Sequence, residues 1–158
     1  MKRSLFMVLL NTTPGEEATY NLIGNGATEL SVSYNPQTKT EQFINQDSAD
    51  TQITGYQPNA PVTLQAKKGE PIFEYVNALR KARAIGEDAE TDIVSVDAFE
   101  EKDTDGSYAA EKQGVTVQID SYGGPASDPL TIGFTINFKG DPVSGKFNPT
   151  TKAFTEAV

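Results

Sequence analysis

The sequence predicts a mainly β domain, a β-sandwich or barrel-like fold, with a single α-helix laid against the sheet. Three observations carry this. Several segments alternate apolar and polar residues, as half-buried strands do. Only one segment, at about 71–85, repeats its apolar residues at helical spacing with matching end signals. Glycine and proline, 13 and 9 of 158 residues, punctuate the chain between most of these segments and mark turns.

Composition excludes several chemistries. There is no cysteine and no histidine, so disulfides, thiolate nucleophiles, Cys/His zinc sites and histidine-based triads are ruled out. With 22 acidic against 13 basic residues, net charge −9, the chain opposes a phosphate backbone rather than gripping it. A single domain over 1–158 is expected from the length, with an N-terminal strand and arm over 1–27 and a β-sandwich with its helix over 28–158.

Taken in order, the apolar run Leu5 to Leu10 follows a basic pair but is too short for a signal core or a membrane span, and reads as a buried strand. The polar stretch carrying Pro14, Gly15, Gly24 and Gly26 reads as a connecting arm. Leu30, Val32 and Tyr34 then alternate with Glu29, Ser31 and Ser33, a strand with one wet face. Asn35-Pro36 suits a turn, and a return through TKTEQFIN gives one long hairpin over 28–45. The phrase NPQTKT at 35–40 recurs as NPTTKA at 148–153, between Phe147 and Phe154, so the same turn chemistry predicts a second, shorter hairpin there. Extended pieces over 50–66 are interrupted at Pro58 and Pro61.

The helix begins at Pro71, with Glu70 and Glu74 near its positive end, Arg80, Lys81 and Arg83 near its negative end, and Gly86 as its stop. Ile72, Phe73, Val76 and Leu79 form its packing face. Later strands follow at Val94 and Val96, at Val115, Val117 and Ile119, and at Leu130, Ile132, Phe134, Ile136 and Phe138.

No catalytic, cofactor or metal site is expected, and the chain does not read as an enzyme. Asp103-Thr104-Asp105-Gly106 opens like a calcium loop, but the later bidentate glutamate would fall near Gly114, and a hairpin tip is the preferred reading. Glu87, Asp88, Glu90 and Asp92 read as a solvated acidic loop sooner than a Mg²⁺ site. Asp97 and Asp120 could be paired for glycoside hydrolysis, yet any acidic β protein offers such pairs.

The stretches SLFMVLLNTTPGEEATYNLIGNGATEL, SVSYNPQTKTEQFI, TGYQPNAPVTLQAKKGEPIFEYVNALRKARAIGEDAETDIVSV and GGPASDPLTIGFTINFKGDPVSGKF, in that order, cover nearly the whole chain. Together they resemble a bacteriophage major tail protein, the tail tube subunit, of the type found in phages and prophages of Gram-positive bacteria. The resemblance implies a structural virion protein that self-assembles into stacked hexameric rings, a hollow tube through which DNA passes without specific binding. It implies the tape-measure protein, the tail terminator and distal tail or baseplate proteins as further partners, assembly in the host bacterial cytoplasm, and no membrane segment.

On strand order, the lumen lining falls to Glu29, Ser31, Ser33, Asp97 and Asp120, and an acidic lumen would keep DNA from sticking. Contacts between subunits fall to Leu5, Phe6, Val8 and Leu10 of the first strand and to Asn35, Pro36, Lys39 and Phe43 of the hairpin. Removing residues 2–15 should then leave a folded monomer that makes no tubes. The alternatives are a secreted carbohydrate-binding or adhesive β-sandwich and a carboxylate-dependent hydrolase.

Overall fold

Alternating sequence becomes sheet almost throughout. The computed structural model describes residues 1–100 and 102–157. After a 3-10 turn at Arg3–Leu5 come β1 (Phe6–Asn11), β2 (Tyr20–Leu22), β3 (Ala27–Leu30), β4 (Pro36–Glu41), β5 (Asp50–Tyr56) and β6 (Asn59–Gln65). Then follow α1 (Pro71–Ala82), β7 (Glu90–Asp97), β8 (Tyr108–Gly123), β9 (Thr131–Asn148) and β10 (Ala153–Glu156). Eight strands form one half-barrel sheet in the order β2-β1-β7-β8-β9-β6-β3, with β10 added alongside β9. β4 and β5 form a separate two-stranded sheet.

The sheet is covered on one face by α1. Ile72, Phe73, Val76 and Leu79 are buried there against Ala60, Val62 and Leu64 of β6, Val115 and Val117 of β8, and Ile132, Phe134 and Ile136 of β9. Each strand supplies every second residue to this core, as the pleat requires. A smaller cluster on the opposite face, at the β1–β7 end, gathers Leu9, Tyr20, Val94, Val96, Ala110 and Phe147. It is flanked by Met7, Tyr108 and Phe154.

The long hairpin exists but is displaced along the chain from 28–45. β3 pairs with β6, Leu30 opposite Val62, and Ser33 bridges to Asn59, whereas β4 pairs with β5 across a tip at 42–49. The reason is burial. A strand with an apolar face runs where that face meets the core, and the polar TKTE segment offers nothing to bury. Asn35, at φ 45°, redirects the chain into β4 rather than closing a turn. At the second copy of the phrase the expected hairpin does close. Asn148 Oδ1 accepts the Thr150 N–H at 2.9 Å, and Phe154 pairs with Phe147 across β9 and β10.

The helix ends at Ala82 rather than at 85, because Arg83 itself enters the left-handed region at φ 47°. Its N–H reaches Arg80 O at 3.2 Å and the Ala84 N–H reaches Leu79 O at 3.1 Å, which closes the last turn as a Schellman motif without glycine. Leu130 precedes β9 and is exposed rather than sharing the apolar face.

Candidate functional site

Two surfaces lack the cover that the rest of the fold enjoys: the part of the sheet face opposite α1 that lies along β8 and β9 beyond the smaller apolar cluster, and the β4–β5 hairpin. On the first, the side chains alternate away from the core along β8 and β9. Asn137 Nδ2 donates to Gln118 Oε1 at 3.2 Å, and Gln118 Nε2 donates to Asp120 Oδ1 at 2.6 Å. Thr135 Oγ1 donates to Asp120 Oδ2 at 2.6 Å. Asp120 is the extra residue of a β-bulge between Ile119 and Ser121, which brings Ser121 onto the same face. A Cβ at Gly133 would lie 2.6 Å from Ser121 Oγ, so a side chain there would force that hydroxyl to turn away. Farther along the face Lys139 Nζ pairs with Glu90 at 2.6 Å. The surface is a lattice of hydroxyls and amides whose charges are few and mostly engaged.

Where this face meets the smaller apolar cluster, the Asp92 carboxylate accepts from Asn11 Nδ2 at 2.8 Å and from the Tyr20 hydroxyl at 2.5 Å. Burial, reinforced by that carboxylate, pushes the Tyr20 phenol far above its ordinary value. The Tyr20 ring stands edge-on to Phe147 at 6.1 Å, tying β2 to β9.

The sequence-predicted lining residues do not share one surface. Asp120 lies on the uncovered face. Asp97 pairs with Phe6 in register and projects, with Ile93, to the α1 side. Asp97 and Asp120 therefore lie on opposite faces and do not form a catalytic carboxylate pair. Glu29 is exposed on edge strand β3, Ser31 is exposed just beyond it, and Ser33 is exposed at its bridge to Asn59. Of the proposed contact residues, Val8 and Leu10 are 3% and 0% exposed and sit in the chain's own core, with Phe6 packed against it and Leu5 half-buried. A side chain enclosed by its own subunit has no surface to give a neighbour. β1 is an interior strand, antiparallel to β2 on one side and β7 on the other, and both its faces are apolar because Val8 and Leu10 enter the larger cluster while Leu9 enters the smaller one.

At the Asp103–Ser107 turn the protein occupies the oxygens that a cation would need. Lys146 Nζ pairs with the Asp103 carboxylate, and Asp105 Oδ1 accepts the Ser107 N–H at 3.0 Å. That hydrogen bond, with Lys146 nearby, holds the Asp105 carboxyl below its usual range. No cluster of three or more metal-ligating side chains occurs among the described residues.

The hairpin is the second surface. Every residue of β4 is exposed, and β5 is little better covered. Thr38, Thr40, Thr51 and Ile53 share one face, and Lys39, Glu41, Asp50 and Gln52 the other. The tip is ordered by Gln46, whose Oε1 accepts the Phe43 N–H at 3.0 Å while its Nε2 donates to Asp50 at 2.8 Å. At its base Asn35 Nδ2 donates to Gln57 O at 3.1 Å, and Tyr34 stands edge-on to Tyr56 at 6.4 Å. Asn35, Pro36, Lys39 and Phe43 are all exposed here. Sequence reasoning missed Ile44, Ile53 and Tyr56, which are also exposed. The available signal was bulky apolar residues set in a run of Thr, Gln and Asp with no second apolar position to pair them.

No family model and no curated protein matches the chain. Among solved structures, it shares its fold with a chain in the tail of an empty GTA particle, obtained by helical refinement with C6 symmetry. The TM-score is 0.64 at 11% identity, over 98% of each chain. A further likeness is to an extracellular contractile injection system, the PVC sheath/tube terminator in its extended state. There the TM-score is 0.48 at 12% identity, over 91% of this chain and 95% of that one. The fold is therefore a tail-tube-like architecture, a mainly β half-barrel with one flanking helix.

Proposed function

We propose that this protein is a tail tube subunit, a structural component of a virion or related particle whose copies close into rings and stack as a hollow tube. The observation that carries the reading is the end-to-end fold match to a chain of the GTA tail, 98% of both chains. The finer reading, a major tail protein of the kind found in phages and prophages of Gram-positive bacteria, rests on the order of the sequence stretches quoted above. Hexameric rings follow from the same resemblance.

In this reading the uncovered sheet face lines the channel and α1 lies outside. The wall resists DNA by two means. Asp120 and the net negative charge repel phosphates and release no counterions on contact. The amides of Gln118 and Asn137 and the hydroxyl of Thr135 already serve one another and Asp120, leaving few free donors for a passing phosphate. This makes the lumen less acidic than the sequence suggested, with Asp97 outside it. The β4–β5 hairpin engages another copy, because a two-stranded sheet with both faces in water is marginal by itself. Tape-measure, terminator and baseplate partners, assembly in the bacterial cytoplasm and DNA ejection through the lumen belong to the same reading.

Negative-stain electron microscopy across a concentration series, with size-exclusion chromatography alongside, tests it. Rings or hollow tubes are expected. A strict monomer at every concentration, even when seeded with a tail initiator complex, would overturn the proposal and favour a secreted carbohydrate-binding or adhesive module.

A further inference from the structure

Both faces of the β4–β5 hairpin are exposed, but they differ in chemistry, and a bulge makes the difference. Between the pairs Gln37–Gly55 and Thr38–Ile53, β5 carries one residue more than β4, Thr54, whose hydroxyl donates to Gln37 O at 3.1 Å. Strict alternation would send Ile53 and Tyr56 to opposite faces. The extra residue shifts the phase by one, so Tyr56, opposite Pro36, joins Thr38, Thr40, Thr51 and Ile53 on one side. Tyr34 stands edge-on to Tyr56 at 6.4 Å and adds a second ring at that end. No residue of this face is charged, and its two facing hydroxyls, Thr40 and Thr51, serve each other at 3.1 Å. The other face carries Lys39, Glu41 and Asp50, with Lys39 paired to Glu41 at 2.6 Å.

Bringing the charged face into a contact would strip water from its ions, a cost that only well-placed partners repay. The uncharged face carries no such cost and offers apolar area. We propose that the hairpin docks by this face alone onto a second copy of the chain and leaves the Lys39 face in water. The docking rests on the tube reading and gives the hairpin's contact a direction. The area decides the occupant. Tyr34, Ile53 and Tyr56 are 61%, 59% and 58% exposed, so together they offer roughly 300 Å², against about 800 Å² per side in a stable pairwise complex. A single foreign partner held only here would fall away. Copies of one chain in a closed array hold, because each subunit both gives this face and receives a neighbour's, and the contacts around the array add.

Thr51 and Gln52 are neighbours on β5 that face opposite ways, which gives a matched pair of variants for pelleting of the full chain across a concentration series. Thr51→Glu should raise the protein concentration needed for assembly by on the order of a hundredfold, since it buries an unpaired carboxylate. Gln52→Glu, which lies opposite Lys39, should stay within about twofold of the parent. Ile53→Thr keeps a β-branched residue in the strand and should raise the concentration about tenfold through lost apolar cover. Urea melts of the dilute monomers should not separate the variants from the parent; if Thr51→Glu alone lowers the midpoint, Ile53→Thr decides. Parental assembly by both Thr51→Glu and Ile53→Thr, or an equal loss in Gln52→Glu, would overturn the choice of face while tubes from the parent leave the tube reading standing. No tubes from the parent would overturn that reading and the docking with it.

Discussion

Replacing Phe43 and Ile44 at the hairpin tip with serine separates assembly from folding. Phe43 is 57% exposed and Ile44 fully so, and neither belongs to an apolar cluster of the subunit. Covering a large apolar side chain completely is worth about 1.5–3 kcal/mol, so in the proposed contact with a second copy the remaining half of Phe43 and the whole of Ile44 would together supply about 3 kcal/mol. At about 1.4 kcal/mol per tenfold, the double variant should need about a hundredfold more protein to form tubes. The isolated subunit should change by no more than about 0.5 kcal/mol, as surface substitutions do. Pelleting across a concentration series gives the first quantity and a urea melt of the dilute monomer gives the second. Tubes at the parental concentration would refute the assembly role of the tip. A monomer several-fold less stable would show instead that the tip supports the fold.

Other outcomes follow from the interior. Leu10→Ala should cost about 3 kcal/mol, because Leu10 is 0% exposed and its site is closed by neighbouring strands. By the same logic, and against the expectation from the sequence that a folded monomer would remain, removing residues 2–15 should unfold the chain, because it takes out β1 and its core residues Val8 and Leu10; a cooperative melt from that deletion would contradict the placement of β1. Arg83→Gly should stabilise by about 0.5–1 kcal/mol, since glycine takes the φ 47° conformation without the strain that arginine bears; a lower melting temperature would refute it. Burial raises the Tyr20 and Tyr75 phenols above the ordinary value of 10.0, so the neutral forms favour the fold. Their contribution is present below pH 10.0 and is lost as pH rises above it, and Tyr20→Phe should flatten part of that alkaline decline in a stability–pH series, at some cost from the lost Asp92 bond.

Much of the fold was legible in the residues. The alternation of Val115 and Val117 and of Ile132, Phe134 and Ile136 marks strand faces because a pleat sends every second side chain the same way. Ile72, Val76 and Leu79 could only make a helical stripe, and Asn148-Pro149 only a turn. The missing cysteine and histidine exclude thiolate and imidazole chemistry whatever the fold.

Pairing was a different matter. The sequence made Thr28–Tyr34 a strand but did not choose its partner, because a ladder of backbone hydrogen bonds accepts any strand. The choice of β6 over the TKTE segment came from a core that exists only once helix and sheet meet. The facing of Asp97 and Asp120 was hidden for the same reason, since one bulged residue at Asp120 and the register of β1 on β7 set which side each carboxylate takes. Local pattern determined the elements of this protein and where its turns fall. Only the tertiary structure decided which strands are neighbours, which face stays wet and which hairpin is left uncovered, because those depend on burying apolar area contributed by residues far apart in the chain.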